Sequence, residues 1–463
     1  MASFLIRRYI NMHFINKSRN SVYLEDIDLS IPYLFDEAQE IDVEKVKKSR
    51  SFRRMVQSGA FFVIKSNGSR IENNLLRVSN SYKESQIPSE RLPSTTKMHV
   101  RLRGHFYDNT GYAKVNRNLA LYLARNKIDT SIDAVTNLNN LNEVDARIIS
   151  TLRRPFYENS ILIDSVVLAQ ALVEYSGKKI LYTTAEVAEV PSQFIDVAKN
   201  YDELWVTSNF CKDAYKSSGY DKEIYIVPPI INCNLYKPTH KMNFRPSLSE
   251  FNYLSVHTFG YRKGSDALIR AFCHAYTKYD NVSLTILSVE VSKVQRKKIR
   301  QQILDLKNEF ANPPTINIIF KSIQEYLMPS FYSAFDCFVL CSRGEGFGLP
   351  ICEASLCGLP IISVNYSAMT DYLNVDNSCL LEIDGLEKVK DVTGVFYWDN
   401  KVFPQLGGKF VDSLAVALRE IRKNYDNYKD KNNKLQDLLR EKFDGRSAIS
   451  TVLTRLDYLW KKA

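Results

Sequence analysis

Three observations predict two doubly wound α/β domains in tandem. From about residue 96 onward, short β-rich apolar runs alternate with longer amphipathic segments, the pattern of helices laid over a parallel sheet. The runs fall into two series, parted by Pro228-Pro229 and the polar stretch Lys237 to Glu250, where a linker belongs. A chain of 463 residues, 45% hydrophobic and 25% charged, has apolar material for more than one core, and at roughly 150 residues per domain it divides rather than growing a single one. The same composition excludes a disordered, fibrous or disulfide-scaffold chain.

The first series of expected strands is Met98 to Leu102, Thr130 to Val135, Ser160 to Asp164, Lys179 to Thr183, Glu203 to Thr207 and Glu223 to Val227. The second is Phe251 to Val256, Val282 to Ser288, Thr315 to Phe320, Asp336 to Cys341 and Pro360 to Val364. Val115, Leu119 and Leu123 recur at four-residue spacing after the first strand, as on one helix face. Near the C-terminus Val411, Leu414, Ala415, Leu418 and Ile421 mark one amphipathic helix, and Ile449, Val452, Leu453, Leu456, Leu459 and Trp460 another that needs a surface to cover. Residues 1–95 read as an accessory domain and linker, with a helical-looking run from Val43 to Val56 and a Ser/Asn/Pro-rich tail from Ser79 to Ser94. The domains that follow are 96–240 and 241–442, with a final helix in 443–463.

The net charge of +10 is spread along the chain and suits an acidic partner, whether bound nucleotide, DNA or an anionic surface. Eight cysteines, all beyond residue 200 and mostly inside apolar runs, read as buried free thiols of a reducing, cytoplasmic setting. No apolar stretch approaches the roughly 18 residues a membrane span needs. The cysteines and histidines show no zinc spacing, so no metal site is expected. Asp26-Ile27-Asp28 has a metal-binding form but lies outside the expected domains.

The densest chemistry lies in Ser342-Arg343-Gly344-Glu345-Gly346-Phe347-Gly348-Leu349-Pro350-Ile351-Cys352-Glu353-Ala354. A buried strand runs into a glycine-rich turn and then a helix whose first turn holds Pro350, preorganised for that place. The backbone N–H groups of Gly346, Phe347, Gly348 and Leu349, with the helix dipole, favour an anion such as a diphosphate. Glu353, on the helix just beyond, is placed to accept ribose hydroxyls, and Glu345, nearer the mouth, to meet a sugar.

Glu345-Gly-Phe-Gly-Leu-Pro-x-x-Glu353-Ala with Gly358-x-Pro360 resembles the Glu-x7-Glu element of retaining family 4 nucleotide-sugar glycosyltransferases. The resemblance continues through Val206-Thr207-Ser208-Asn209-Phe210, Val227-Pro228-Pro229-Ile230 and Lys263-Gly264. It implies the GT-B fold, in which two Rossmann-like domains face a cleft, the first binding acceptor and the second the nucleotide sugar, and a C-terminal helix crosses back onto the first. It also implies a UDP- or GDP-sugar as co-substrate and no separate cofactor. In this chain Thr258 stands where the family pattern has an arginine. Lys263 remains to neutralise the leaving diphosphate, with neighbouring Arg262 or a group across the cleft making up the missing charge. Gly111 resembles the family's N-terminal glycine turn near the donor phosphates. In its loop His105 and Asp108 are candidates for acceptor or sugar, and Glu186, with Glu189 as a weaker second, resembles a cleft-facing acid.

The implied activity is transfer of a hexosyl or pentosyl group, with retained configuration, to an acceptor hydroxyl. Saccharide, lipid-linked, protein and modified-DNA-base acceptors all remain open. The alternative is a catalytically silent binding or structural protein of the same fold. Short N-terminal segments resemble tailed-phage proteins, which leaves a phage origin open to either reading.

Overall fold

The computed structural model describes residues 94–108, 110–135, 152, 154–166, 171, 175–239, 249–288, 291–388 and 401–462, together with short strands before residue 93. Those short strands include antiparallel pairs of Met12–Asn16 with Gln39–Glu40 and with Phe61–Lys65. The expected helix from Val43 to Val56 and the Asp26-Ile27-Asp28 triplet lie outside the described residues. The chain divides into two compact units, Met1–Gln86 with Lys388–Lys401, and Ile87–Glu387 with Val402–Ala463. Both sheets described below belong to the second unit.

The first domain is built from β1 (His99–Gly104), α1 (Gly111–Arg125), β2 (Asp129–Ala134), β3 (Ile161–Ser165), β4 (Lys179–Thr183), α2 (Ser192–Lys199), β5 (Glu203–Val206), α3 (Asn209–Ser217) and β6 (Ile224–Ile226). Among the described residues its strands form a six-stranded parallel sheet in the order β6-β5-β4-β3-β1-β2. Every residue of β3 and β5 is buried, as strands covered on both faces require. Helix α1 starts where Thr110 accepts a hydrogen bond from the Ala113 N–H, 3.3 Å away, and turns Leu119 and Leu123 into the core.

The second domain comprises β7 (Phe251–Val256), α4 (Ser265–Ala275), β8 (Val282–Ser288), α5 (Lys293–Asn308), β9 (Thr315–Phe320), α6 (Met328–Tyr332), β10 (Cys337–Leu340), α7 (Leu349–Leu356), β11 (Ile361–Val364) and β12 (Cys379–Leu381). It too is a six-stranded parallel sheet, ordered β9-β8-β7-β10-β11-β12. Strand β12 was not expected, because three residues are too few to show a period. The strand order reverses between β7 and β10, and the loops leaving their carboxyl ends open onto the crevice where such sheets bind ligands. In the first domain the corresponding reversal lies between β1 and β3.

Three helices close the chain: α8 (Gly408–Lys423), α9 (Tyr425–Phe443) and α10 (Gly445–Lys461). Helix α9 escaped the sequence reading, because only Asn432, Leu435, Leu439 and Phe443 of its 19 residues are buried. Helix α10 lies on the first domain. Its Ala448, Ile449, Val452, Leu456 and Leu459 share one apolar cluster with Leu119, Leu123, Trp205 and Val227. A polar clasp fixes the register: Arg455 pairs with the buried Glu203, which also accepts a 2.8 Å hydrogen bond from the Trp205 indole. All eight cysteines are free; Cys233 and Cys379 are only partly buried, the other six fully.

Leu456→Ala should lower unfolding free energy by about 2–5 kcal/mol, the cost of emptying a fully buried site. Thr451→Ala on the exposed face of the same helix should change it by no more than about 0.5 kcal/mol. Denaturant titration of the two variants checks whether the helix is an integral part of the first domain's core.

Candidate active site

The loops after β7 and β10 approach so closely that one position must be glycine. Gly264 has φ +64°, and a side chain there would run into the Cys341 carbonyl. Arg343 then ties the loops together. Its N–H donates to the Arg262 carbonyl at 2.6 Å, and its guanidinium donates to the Tyr261 carbonyl at 2.6 Å. The same guanidinium forks onto the Asp266 carboxylate at 2.9 and 3.1 Å and stacks 3.8 Å from the Tyr261 ring centre. Gly348, at φ +88°, makes the turn that launches α7.

This brace converges four of the residues picked out from sequence. The Lys263 ammonium bonds Glu345 Oε1, the Arg262 guanidinium lies 3.8 Å from the same oxygen, and Arg262 reaches across to Glu186 at 3.1 Å. Glu186 belongs to the loop after β4 of the first domain, so the cluster joins both halves. Burial and the Arg262 charge pull the Lys263 ammonium below its ordinary value, with Glu345 acting the other way. Burial alone would raise Glu345, but Lys263 and Arg262 outweigh it and hold the carboxyl below the usual range. The result is a buried carboxylate with two cations. Beside them His257, almost wholly buried, contacts the Thr258 carbonyl through Nδ1 at 3.2 Å, and burial brings its imidazole down to about 4.

The glycine loop is pressed against the first domain. A side chain at Gly344 would meet the Glu186 carbonyl, and one at Gly346 would meet the Thr184 side chain. The Thr207 hydroxyl donates to the Gly346 carbonyl at 2.6 Å. Asn209 N–H, at the start of α3, donates to Asp371 at 2.8 Å. Glu353 is buried on α7 and bonds Lys114 of α1 at 2.6 Å and the Tyr332 hydroxyl at 2.9 Å. A second pair, Arg117 to Glu325 at 2.8 Å, runs parallel to it. Lys114, Arg117, Thr184 and Tyr332 were not singled out from sequence, and Thr207 entered only within a resembling stretch, because each acts through a partner more than twenty residues away or in the other domain.

The remaining candidates take separate places. His105 Nδ1 and Asp108 pair at 2.8 Å in the loop after β1. Burial works against the Asp108 charge, yet hydrogen bonds from His105 and Thr110 hold its carboxyl well below the ordinary range. Gly111 faces Leu349 across the gap. Phe347 turns inward, its ring 5.3 Å from Tyr372 and 5.2 Å from Phe443, so its side chain packs within the second domain's core. Glu189 is exposed. Among the described residues no group of three or more His, Cys, Asp or Glu is placed to hold a metal ion, and no helix is long and apolar enough to cross a membrane.

Residues 239–382 match the family of glycosyl transferases group 1. The stretch contains the whole β7 to β12 sheet with Arg262, Lys263, Glu345 and Glu353. The chain carries a glycosyl transferases group 1 domain on a GT-B fold. A relative described as uncharacterized glycosyltransferase 335, from Sulfolobus islandicus rod-shaped virus 1, is 23% identical over 283 residues, covering 55% of this chain and 78% of the relative. Sucrose-phosphate synthase from Thermosynechococcus elongatus superposes with a TM-score of 0.58 at 14% identity, over 79% of this chain and all of the other. HepE from Anabaena, in complex with UDP and glucose, gives 0.53 at 14% identity over 78% of this chain and all of its own. The two halves of that fold are the sheets of β1–β6 and β7–β12.

Lys114→Met should destabilise the enzyme by about 3 kcal/mol, because Glu353 is left buried without its cation. Adding Glu353→Gln should recover at least about 1 kcal/mol of that loss, a coupling that a double-mutant cycle in denaturant will read.

Proposed function

We propose that this glycosyltransferase moves a sugar from a nucleoside diphosphate sugar to an acceptor hydroxyl with retention of anomeric configuration. The observation that carries the reading is the convergence of Lys263 and Arg262 on Glu345 at the reversal of the second sheet. A cation pair beside a glycine turn is the arrangement a departing diphosphate needs, since negative charge grows there in the transition state. Arg262, one position before Lys263 and turned into the cluster, supplies the charge that Thr258 lacks. The Anabaena neighbour's complex with UDP and glucose supports a UDP-type donor.

In this mechanism the bond between the anomeric carbon and the phosphate oxygen breaks with its electron pair leaving on the diphosphate. Lys263, Arg262 and the amides of Gly346, Gly348 and Leu349 stabilise that charge, while Glu345 orients the sugar hydroxyls. The acceptor oxygen attacks from the face the diphosphate leaves, and its proton passes to the departing phosphate oxygen. No side chain serves as covalent nucleophile. Glu353 takes the ribose hydroxyls once the nucleotide enters and Lys114 withdraws. His105 and Asp108, with Glu186, lie on the first-domain side, where the acceptor binds.

Lys263→Ala should cut transfer, or the slower hydrolysis of donor by water, by about 10²–10³-fold while the far-ultraviolet spectrum stays unchanged. The assay uses a panel of UDP- and GDP-sugars with free nucleotide release as readout. Wild-type protein that releases nucleotide from none of them, or a Lys263→Ala variant with full activity, would be incompatible with this reading.

A further inference from the structure

His257 is the one member of the cluster that the mechanism leaves unused. It sits just past the end of β7, only 6% exposed, within electrostatic reach of Lys263, Glu345 and Arg262. Its two ring nitrogens differ. Nδ1 faces the Thr258 carbonyl at 3.2 Å, and a carbonyl oxygen can only accept, so Nδ1 must carry the hydrogen. Nε2 is buried and has no hydrogen-bonding partner among the described residues.

The neutral ring therefore leaves a bare, buried lone pair on Nε2, in a residue within electrostatic reach of the cluster. That state is the natural one here, for desolvation and the neighbouring Lys263 and Arg262 charges all disfavour a second proton. A lone pair in a water-poor place calls for a donor. The oxygens of an ionised diphosphate carry no hydrogen and would repel it. The Lys263 and Arg262 groups whose contacts are seen are directed at Glu345, Glu186 and the Gly344 carbonyl. A sugar hydroxyl is the donor-bearing group that would lie against this cluster when a nucleotide sugar is bound.

We propose that His257 binds the transferred sugar, accepting a hydrogen bond at Nε2 from one of its hydroxyls and so helping to select which sugar is used. The inference rests on the nucleotide-sugar reading above and adds a residue to it. It also explains why a polar ring is tolerated at a buried strand end beside two cations: the complement arrives with the substrate.

The test compares binding of an intact nucleotide sugar with binding of the matching nucleoside diphosphate, by calorimetry, for wild type, His257→Phe and His257→Gln. Phenylalanine keeps the ring volume and removes the acceptor, whereas the glutamine carbonyl can stand where Nε2 stands. His257→Phe should weaken the intact donor about 10–100-fold, as expected for a site that loses a buried hydroxyl contact, and leave the nucleoside diphosphate within about 2-fold. His257→Gln should regain most of the loss. On wild-type protein, ¹⁵N resonances of His257 should move at Nε2 when the nucleotide sugar binds and stay put with the nucleoside diphosphate, a reading independent of how the variants fold. Equal weakening of both ligands by His257→Phe, or an Nε2 resonance unmoved by bound nucleotide sugar, overturns the inference while leaving the function intact. Wild-type protein that binds no nucleotide sugar at all removes both.

Discussion

A buried carboxylate must find cations, and in this protein that requirement organises the region between the two halves. Glu345 is almost fully removed from solvent, so an unpaired charge there would cost more than the fold could sustain. Lys263 and Arg262 meet the demand only because the loops after β7 and β10 lie side by side at the reversal of the sheet. That proximity rests on a left-handed glycine at Gly264 and on Arg343 lashed to Asp266 and Tyr261. Sheet topology, backbone chirality and electrostatics thus converge on one place.

The closed contact between the halves has the same character. Thr207 to Gly346, Asn209 to Asp371, Arg262 to Glu186, Arg117 to Glu325 and Lys114 to Glu353 all bridge first-domain and second-domain loops or helices. These are polar contacts over small residues, unlike the apolar cores of the separate sheets. Polar pairs can be exchanged for a polar ligand at little net cost, because the groups that part find new partners. Apolar packing offers no such exchange. Helix α10, by contrast, is held by apolar burial plus the Arg455 to Glu203 clasp, which suits an element that stays in place while the loops around the cleft exchange partners.

Much of this was legible in the sequence, and the limits are physical. The alternation of β-rich and amphipathic runs revealed both sheets, since burial on two faces forces continuous apolar strands. The glycine turn between Glu345 and Glu353 was visible because backbone approach and left-handed geometry leave only glycine as a choice. Strand β12 and helix α9 were missed, one too short and the other too polar to carry a period. Pairing across the cleft was hidden as well: Lys114 reads as an ordinary first-turn lysine, and only the folded chain brings it to Glu353. His257 was passed over for a related reason, since a histidine at a strand end shows neither its burial nor its tautomer in sequence.

The pairing of Glu353 bears on how the proposed donor would enter. In the closed arrangement both oxygens of that carboxylate are engaged, one by Lys114 and one by Tyr332. A ribose would compete with these partners for the carboxylate, and Lys114 is the more movable of the two, since Tyr332 is fixed within the second domain's core. Lys114 rides on α1 of the first domain, so its pair with Glu353 spans the two halves. Paired with Lys114, the Glu353 carboxylate avoids standing bare in a low-dielectric site while the cleft is closed. Under the proposed function the ion pair would belong to the binding cycle, keeping the site intact until the ribose hydroxyls of the donor take the place of the lysine.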